Sequence, residues 1–275
     1  MATETELSGK VVVITGASMG IGEAIAKVFA DQGASVVLLS RDAARSEAAR
    51  NRIRHSERTL ALACDVRHRE QIDQVIALTM SRFGRIDVWV NNAGHGILDS
   101  VAQVNMTLAR DTFDTNFFGV LAAMQAVIPI LQKQASGTII NVSSVAGHIP
   151  VPFLALYSAT KFALNAVGKA ARVELKSSGI HVMTVCPGYV RTDFGAKRPQ
   201  GKGTEASEAR FSPWHHGGAR CPRGIFGLSE EEAGSRRPLD HAPDGQALPA
   251  FSGAGGVGDD ENGAIGKLIR IAQIA

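Results

Sequence analysis

Six short runs of apolar, largely β-branched residues mark the first two-thirds of the chain: Lys10 to Thr15, Ser35 to Ser40, Thr59 to Cys64, Ile86 to Val90, Gly137 to Ser143 and Ile180 to Cys186. None alternates strictly with polar residues, so each predicts a strand buried on both faces. Between the runs, apolar positions recur at helical spacing. Ile21, Ile25, Val28 and Phe29 follow the first run, Ile72, Val75, Ile76, Met80 and Phe83 the third, and Leu156, Phe162, Ala163, Ala166, Val167, Ala170 and Val173 the fifth. A charged surface helix is expected over Asp42 to His55 and a long helix over Asp111 to Gln134. Strand and helix therefore alternate, which predicts an α/β fold in which a doubly wound parallel sheet is covered on both faces, in one domain over residues 1–196.

Composition narrows the class of protein. With 275 residues, 45% hydrophobic and 20% charged, the chain is long enough for a substantial core. The net charge of +3 comes without the clustered Lys/Arg and interleaved aromatics of a nucleic-acid surface. Cys64, Cys186 and Cys221 are too scattered for a disulfide framework or a zinc site, and no metal-ligand spacing occurs elsewhere, so free thiols in a reducing, cytoplasmic compartment are expected. The N-terminus has no secretory pattern. The longest uncharged apolar stretch, Phe117 to Leu131, is shorter than the ~20 residues a membrane helix needs, so no membrane span is expected.

The first strand runs into Gly16, Ser18, Met19, Gly20, Ile21 and Gly22 and then a helix. Such a turn lets the backbone approach a pyrophosphate and aims a helix N-terminus at its charge, although a tight turn without a ligand has the same glycines. The second strand ends in Ser40 and Arg41, where a dinucleotide site commonly has an acidic residue for the ribose hydroxyls. A guanidinium there pairs with a 2′-phosphate, which favours NADP over NAD; the alternative is that Arg41 only caps a strand. Asp65 and Val66 follow the third strand and are candidates for the adenine, Asp65 alternatively serving as a helix cap. Asn92, Ala93 and Gly94, small or amide-bearing, follow the fourth.

Tyr157 and Lys161 stand four apart, on one face of the helix after the fifth strand. An ammonium beside a phenol favours the phenolate, so the tyrosine pKa is expected to fall from about 10 toward the range where it exchanges protons. Tyr-x-x-x-Lys alone is a common accident on helices. Ser144, thirteen residues earlier at the end of a strand, can present a hydroxyl to that face, with Ser143 as its rival. Asn116 is a lone amide among Phe113, Phe117, Val120 and Leu121 and needs buried partners.

Taken together these residues resemble the short-chain dehydrogenase/reductase family. Thr15-Gly-Ala-Ser-Met-Gly-Ile-Gly22 matches its TGxxxGxG motif, Asn91 to Gly94 matches NNAG, and Ser144, Tyr157 and Lys161 match the catalytic triad in spacing. Asn116 matches the fourth catalytic position and Pro187-Gly188 the PG motif. The match runs over roughly residues 8 to 195. It implies a Rossmann-type enzyme moving hydride between a nicotinamide and a carbonyl or secondary alcohol, with Tyr157 as acid/base and Ser144 holding the substrate oxygen. Lys161 binds the nicotinamide ribose and lowers the Tyr157 pKa, and Asn116 keeps a relay water. Pro187, Gly188 and Val190 would line the cofactor, with Thr192 near the carboxamide. Relatives that form dimers or tetramers imply a homodimer or homotetramer. The rival reading is a nucleotide-binding protein without turnover.

After Lys197 the pattern fails. Arg, Gly, Pro and His dominate, and roughly half of the 29 glycines fall there. Residues 197–275 are expected to form an irregular C-terminal segment, either a disordered tail or an out-of-frame translation, in place of the family's substrate lid and seventh strand.

Overall fold

The computed structural model describes residues 7–53, 56–190 and 194. The expected irregular segment at 197–275, with Cys221, lies outside the described residues, as does Thr192. The strands are β1 (Val11–Thr15), β2 (Ser35–Ser40), β3 (Thr59–Ala63), β4 (Val88–Asn91), β5 (Gly137–Val142) and β6 (Ile180–Val185). All pair in parallel, in the order β3-β2-β1-β4-β5-β6. The chain starts in the middle of the sheet, builds one half outward, and returns to build the other. That reversal opens a crevice beyond the strand ends between β1 and β4.

The helices are α1 (Gly20–Asp31), α2 (Ala43–Arg50), α3 (Arg69–Phe83), α4 (Met106–Phe113), α5 (Gly119–Gln134) and α6 (Ala155–Glu174). The sheet buries both faces, which is why its strands are uninterruptedly apolar. Val12, Ile14, Val36 and Leu38 point to a core closed by Ile25, Ala26, Phe29 and Ala30 of α1, with Ala49 of α2. Their neighbours Val13, Val37, Leu39, Trp89, Ile139 and Val182 point the other way. These pack against Ile72 and Val75 of α3, Val120, Met124 and Val127 of α5, and Leu164 and Ala171 of α6. Each such side chain contributes about 1.5–3 kcal/mol on burial, so this alternation fixes the sheet register.

Three expected elements differ. α2 ends at Arg50, five residues short of His55, while Asp42 lies outside it and caps it, its carboxylate accepting from the Ala44 and Arg45 amides. β4 begins at Val88 because the Asp87 carboxylate accepts from the Val11 amide and from Lys10 and Arg85, ending the strand in a charge cluster.

The third difference lies in the helix expected over Asp111 to Gln134. It begins at Met106, capped by the Asn105 side chain, and is interrupted by a π-turn over Asp114–Phe118. This run of Met106–Gln134 is long and apolar enough to cross a membrane by length and composition alone. Its apolar residues Val120, Met124, Val127 and Leu131 are buried in the core against the sheet.

Candidate active site

Every strand points its C-terminal end to the same edge, and the candidate residues follow those ends. After β1, Gly16 takes φ +64 and Gly20 φ +57, conformations that cost an L-residue strain. A Cβ on Gly16 would lie 2.8 Å from the Ala93 Cα, and one on Gly22 would overlap the Gly16 carbonyl and the Asn92 amide. The Asn92 side chain donates to the carbonyls of Thr15 (2.9 Å) and Gly16 (3.0 Å), so Asn92, Ala93 and Gly94 brace the glycine turn. Thr15 Oγ1 accepts from the Asn92 and Ala93 amides, both at 2.9 Å. No side chain caps α1, and its twelve-residue length aims its N-terminal amides over the sheet edge. A turn in which Gly16, Gly20 and Gly22 present bare backbone, backed by an uncapped helix N-terminus, fits the diphosphate of a dinucleotide.

Arg41 stands exposed where β2 ends. Asp65 follows β3, and Arg67 grips its carboxylate through Nε at 2.9 and 3.1 Å, which holds Asp65 below the ordinary carboxylate range. Arg67 also pairs with Asp111 of α4, and Asp111 lies 3.3 Å from His95 Nε2. Arg67 and Asp111 were not among the sequence candidates, because only folding brings residues 44 apart to one carboxylate. Val66 is buried, packed closely enough on Gly119 that a Cβ there would meet it at 2.9 Å.

Asn116 sits in the middle of the π-turn, whose extra residue turns its amide away from the helix ladder and toward the loop after β4. Its Oδ1 accepts the His95 amide at 2.9 Å, and its Nδ2 donates to the His95 carbonyl at 2.8 Å and to Thr160 Oγ1 at 3.1 Å. Thr160 donates in turn to the Tyr157 carbonyl at 2.7 Å. The buried amide thus ties the NNAG loop to the helix bearing Tyr157 and Lys161. Thr160 escaped the sequence reading; its place beside Lys161 in the Tyr-x-x-x-Lys stretch was the available signal.

The structure brings Ser144, Tyr157 and Lys161 together. Ser144 lies close enough to the Tyr157 phenol to act on its pKa, whereas Ser143 is buried and directs its hydroxyl to the Lys161 carbonyl at 3.4 Å. Lys161 Nζ donates to the Val142 carbonyl at 2.9 Å and lies 5.7 Å from the centre of the Tyr157 ring. The expected lowering of the tyrosine is not what the protein does. Burial pushes the Tyr157 phenol above its ordinary value, and the Ser144 hydroxyl only partly offsets this. The same burial drives Lys161 down to about 8, so its ammonium is itself disfavoured. Tyr157 is consequently a neutral phenol at neutral pH, a proton donor.

Beyond β6, Gly188 faces open space, and Pro187 accepts from the Val145 amide at 3.0 Å, joining the loops after β5 and β6. Val190 closes the described part of that loop. Behind Ser144, Cys186 Sγ lies 3.2 Å from His148 Nε2, and Asn165 Nδ2 3.3 Å from the same nitrogen. Cys64 and Cys186 are free thiols, Cys64 buried and Cys186 half-buried, and burial raises both above the ordinary thiol range, Cys64 to about 11. Among the described residues no group of His, Cys, Asp or Glu is arranged to hold a metal ion.

A doubly wound parallel sheet with a glycine turn at its switch point and a Ser-Tyr-Lys cluster beside it defines a nicotinamide-dinucleotide oxidoreductase. Residues 10–203 match the sequence profile of the short chain dehydrogenase family. An uncharacterized oxidoreductase of Staphylococcus epidermidis is 39% identical over 197 residues, 69% of this chain and 84% of that one. Among solved structures, 3-ketoacyl-(acyl-carrier-protein) reductase from Brucella melitensis complexed with NADH superposes with a TM-score of 0.67 at 33% identity. The match covers 70% of this chain and 80% of that one. NAD+-bound xylitol dehydrogenase gives 0.65 at 30%, covering 67% and 72%. The chain belongs to the short-chain dehydrogenase/reductase family and is an NAD(P)-dependent oxidoreductase acting on CH–OH/C=O groups.

Proposed function

We propose that this protein is an NADP-dependent carbonyl reductase or alcohol dehydrogenase in which Tyr157 is the acid/base. The observation that carries the reading is the convergence of Ser144, Tyr157 and Lys161, with the serine acting on the pKa of a half-buried phenol and the lysine 5.7 Å from its ring centre. In the reducing direction the Ser144 hydroxyl orients the substrate oxygen and Tyr157 Oη–H donates a proton to it as negative charge develops there. The phenolate left behind is stabilised by the Lys161 ammonium, which at a pKa near 8 is charged at neutral pH yet able to return a proton. Asn116 holds the loop and helix at a fixed separation, and we assign it the relay water. The nicotinamide, when bound, supplies or accepts the hydride.

Gly16, Ser18, Met19, Gly20, Ile21 and Gly22 would hold the diphosphate, Asp65 and Val66 the adenine, and Asn92, Ala93 and Gly94 the adjoining ribose. Pro187, Gly188 and Val190 would line the nicotinamide end of the cofactor, with Thr192 near its carboxamide. The preference for NADP rests on Arg41, a cation where a 2′-phosphate needs one. The two solved relatives carry NADH and NAD+, so this preference is a property we assign to this chain's own residue. The free thiols Cys64 and Cys186 support a reducing, cytoplasmic setting. Packing of the apolar run Met106–Gln134 onto the sheet supports a protein without a membrane span. A homodimer or homotetramer is expected from exposed Phe118 and Phe162 on the Asn116 and Tyr157 helices.

Tyr157→Phe tests the assignment. Hydride transfer to a carbonyl should fall at least a hundredfold, in the range of general acid catalysis, while the thermal shift produced by NADPH persists. Retention of full turnover would refute the role of Tyr157. Loss of the thermal shift as well would mean that the substitution had damaged the site.

A further inference from the structure

The loops that frame the reacting hydroxyls are almost without charge. From Ser143 to Thr160 there is no Asp, Glu, Lys or Arg, and from Val182 to Val190 there is none either. The one imidazole on them, His148, is engaged with Cys186 and Asn165. The next loop, after β4, carries Asp99, but both its carboxylate oxygens are occupied, accepting from the Ser100 and Asn105 amides.

What these loops expose is apolar. Val145, Ile149, Tyr189 and Phe194 are each more than two-fifths exposed. Val145 directly follows Ser144 and, between buried Ala146 and Gly147 on one side and the strand on the other, is the residue of that turn left open to solvent. The Ile149 amide donates to the Val145 carbonyl at 3.2 Å, setting the two side chains one turn apart. The Val145 amide donates to Pro187, which brings Tyr189 to the same edge, and the Phe194 ring lies 5.8 Å from the Tyr157 ring. Among the described residues, the other exposed large apolar side chains are Leu78, Met106, Phe118, Phe162 and Val173 on helices and Val101 in the turn after β4; these four lie on the loops around Ser144 and Tyr157.

Resting on the oxidoreductase reading above, we propose that the substrate is a ketone or secondary alcohol borne on an extended apolar chain, uncharged near the reacting carbon, and that Val145 and Ile149 are specificity-determining residues for that chain. A sugar or polyol would bring several hydroxyls to loops whose polar side chains beyond the reacting groups are few, chiefly the Tyr189 phenol and the His148 imidazole, and burying an unpaired hydroxyl costs affinity. A carboxylate or phosphate beside the carbonyl would meet no Lys or Arg between Ser143 and Thr160 or between Val182 and Val190. An alkyl group, by contrast, gains from each methylene removed from water against the rim.

The test is a homologous series of 2-alkanones from butanone to 2-decanone, with dihydroxyacetone and a pentulose for comparison, each assayed with NADPH and with NADH. We expect kcat/KM to climb by up to about fourfold per added methylene, the ratio equivalent to ~0.8 kcal/mol for a buried CH2, with the polyhydroxy ketones far below a ketone of matched size. Val145→Ser and Ile149→Ser should flatten the climb while turnover of butanone stays within about twofold. A series flat in the unsubstituted protein, or a preference for the ketoses, overturns the proposal. So does an unchanged climb in both variants, which would place the chain-length dependence on residues other than Val145 and Ile149. If no carbonyl in the set oxidises either nucleotide although both nucleotides bind, the hydride-transfer reading itself fails, an outcome distinct from turnover without chain-length dependence.

Discussion

Replacing Lys161 by methionine should abolish activity and yet leave a signature in stability that only its burial explains. Lys161 is 5% exposed, its ammonium donates to the Val142 carbonyl at 2.9 Å, and its pKa falls from the ordinary 10.5 to about 8. The folded-state value is the lower one, so between these two pH values the unfolded chain holds the proton that the folded protein has released. Below pH 8 both states are charged and the whole cost of burying the charge is present; as pH rises through that window the cost is lost and stability increases. Linkage puts the gain between pH 7 and pH 9.5 at about 2 kcal/mol. Methionine has nearly the same length and no charge, so the variant lacks this component.

The assay is urea denaturation of both proteins at half-unit pH steps, and the quantity read is wild-type stability minus variant stability. That difference cancels every other titrating group. At pH 7 the variant gains from losing a buried charge but leaves the Val142 carbonyl without its donor, a loss of about 1–3 kcal/mol, so the two should be nearly balanced there. A difference that grows by about 2 kcal/mol in favour of the wild type toward pH 9.5 supports the reasoning. A difference independent of pH would show that Lys161 keeps an ordinary pKa, and the account of how it serves Tyr157 would fall with it.

Three further outcomes follow from single contacts. Arg41→Ala should raise the KM for NADPH by roughly tenfold to a hundredfold, as expected for losing hydrogen bonds to a charged group, and leave NADH unchanged in steady-state kinetics; equal effects on both would refute the phosphate role. Gly22→Ala forces a methyl into the Gly16 carbonyl and the Asn92 amide. It should cost about 1–3 kcal/mol in a thermal melt and abolish the NADPH-induced shift, so wild-type cofactor affinity would contradict the geometry. Thr160→Val removes the acceptor for Asn116 and the donor to Tyr157; kcat should fall and Thr160→Ser should restore it, whereas a fall without rescue would point to packing alone.

Much of this protein is legible in one dimension. β2 runs over Ser35–Ser40 as its apolar run predicts, and the parallel sheet follows from uninterrupted apolar strands alternating with helical spacing. The glycine turn and the common helix face of Tyr157 and Lys161 are readable because each needs a particular residue type at a local spacing: a left-handed turn needs glycine, and a shared helix face needs the interval of four. Such constraints are carried by chain neighbours, so sequence determines them by itself.

Tertiary structure decided whatever depends on burial and on residues far apart in the chain. Sequence places a cation beside Tyr157 and predicts a lowered pKa; only the fold shows that desolvation outweighs that charge and drives both groups toward their neutral forms. The π-turn under Asn116 has no periodicity to announce it, since one extra residue is held in place by the His95 backbone and by Thr160, residues 21 and 44 positions away. The bridge from Asp65 and Arg67, in the loop after β3, to Asp111 of α4 joins two distant segments in the same way. Propensity and spacing act along the chain, whereas desolvation and long-range pairing exist only once distant segments have met.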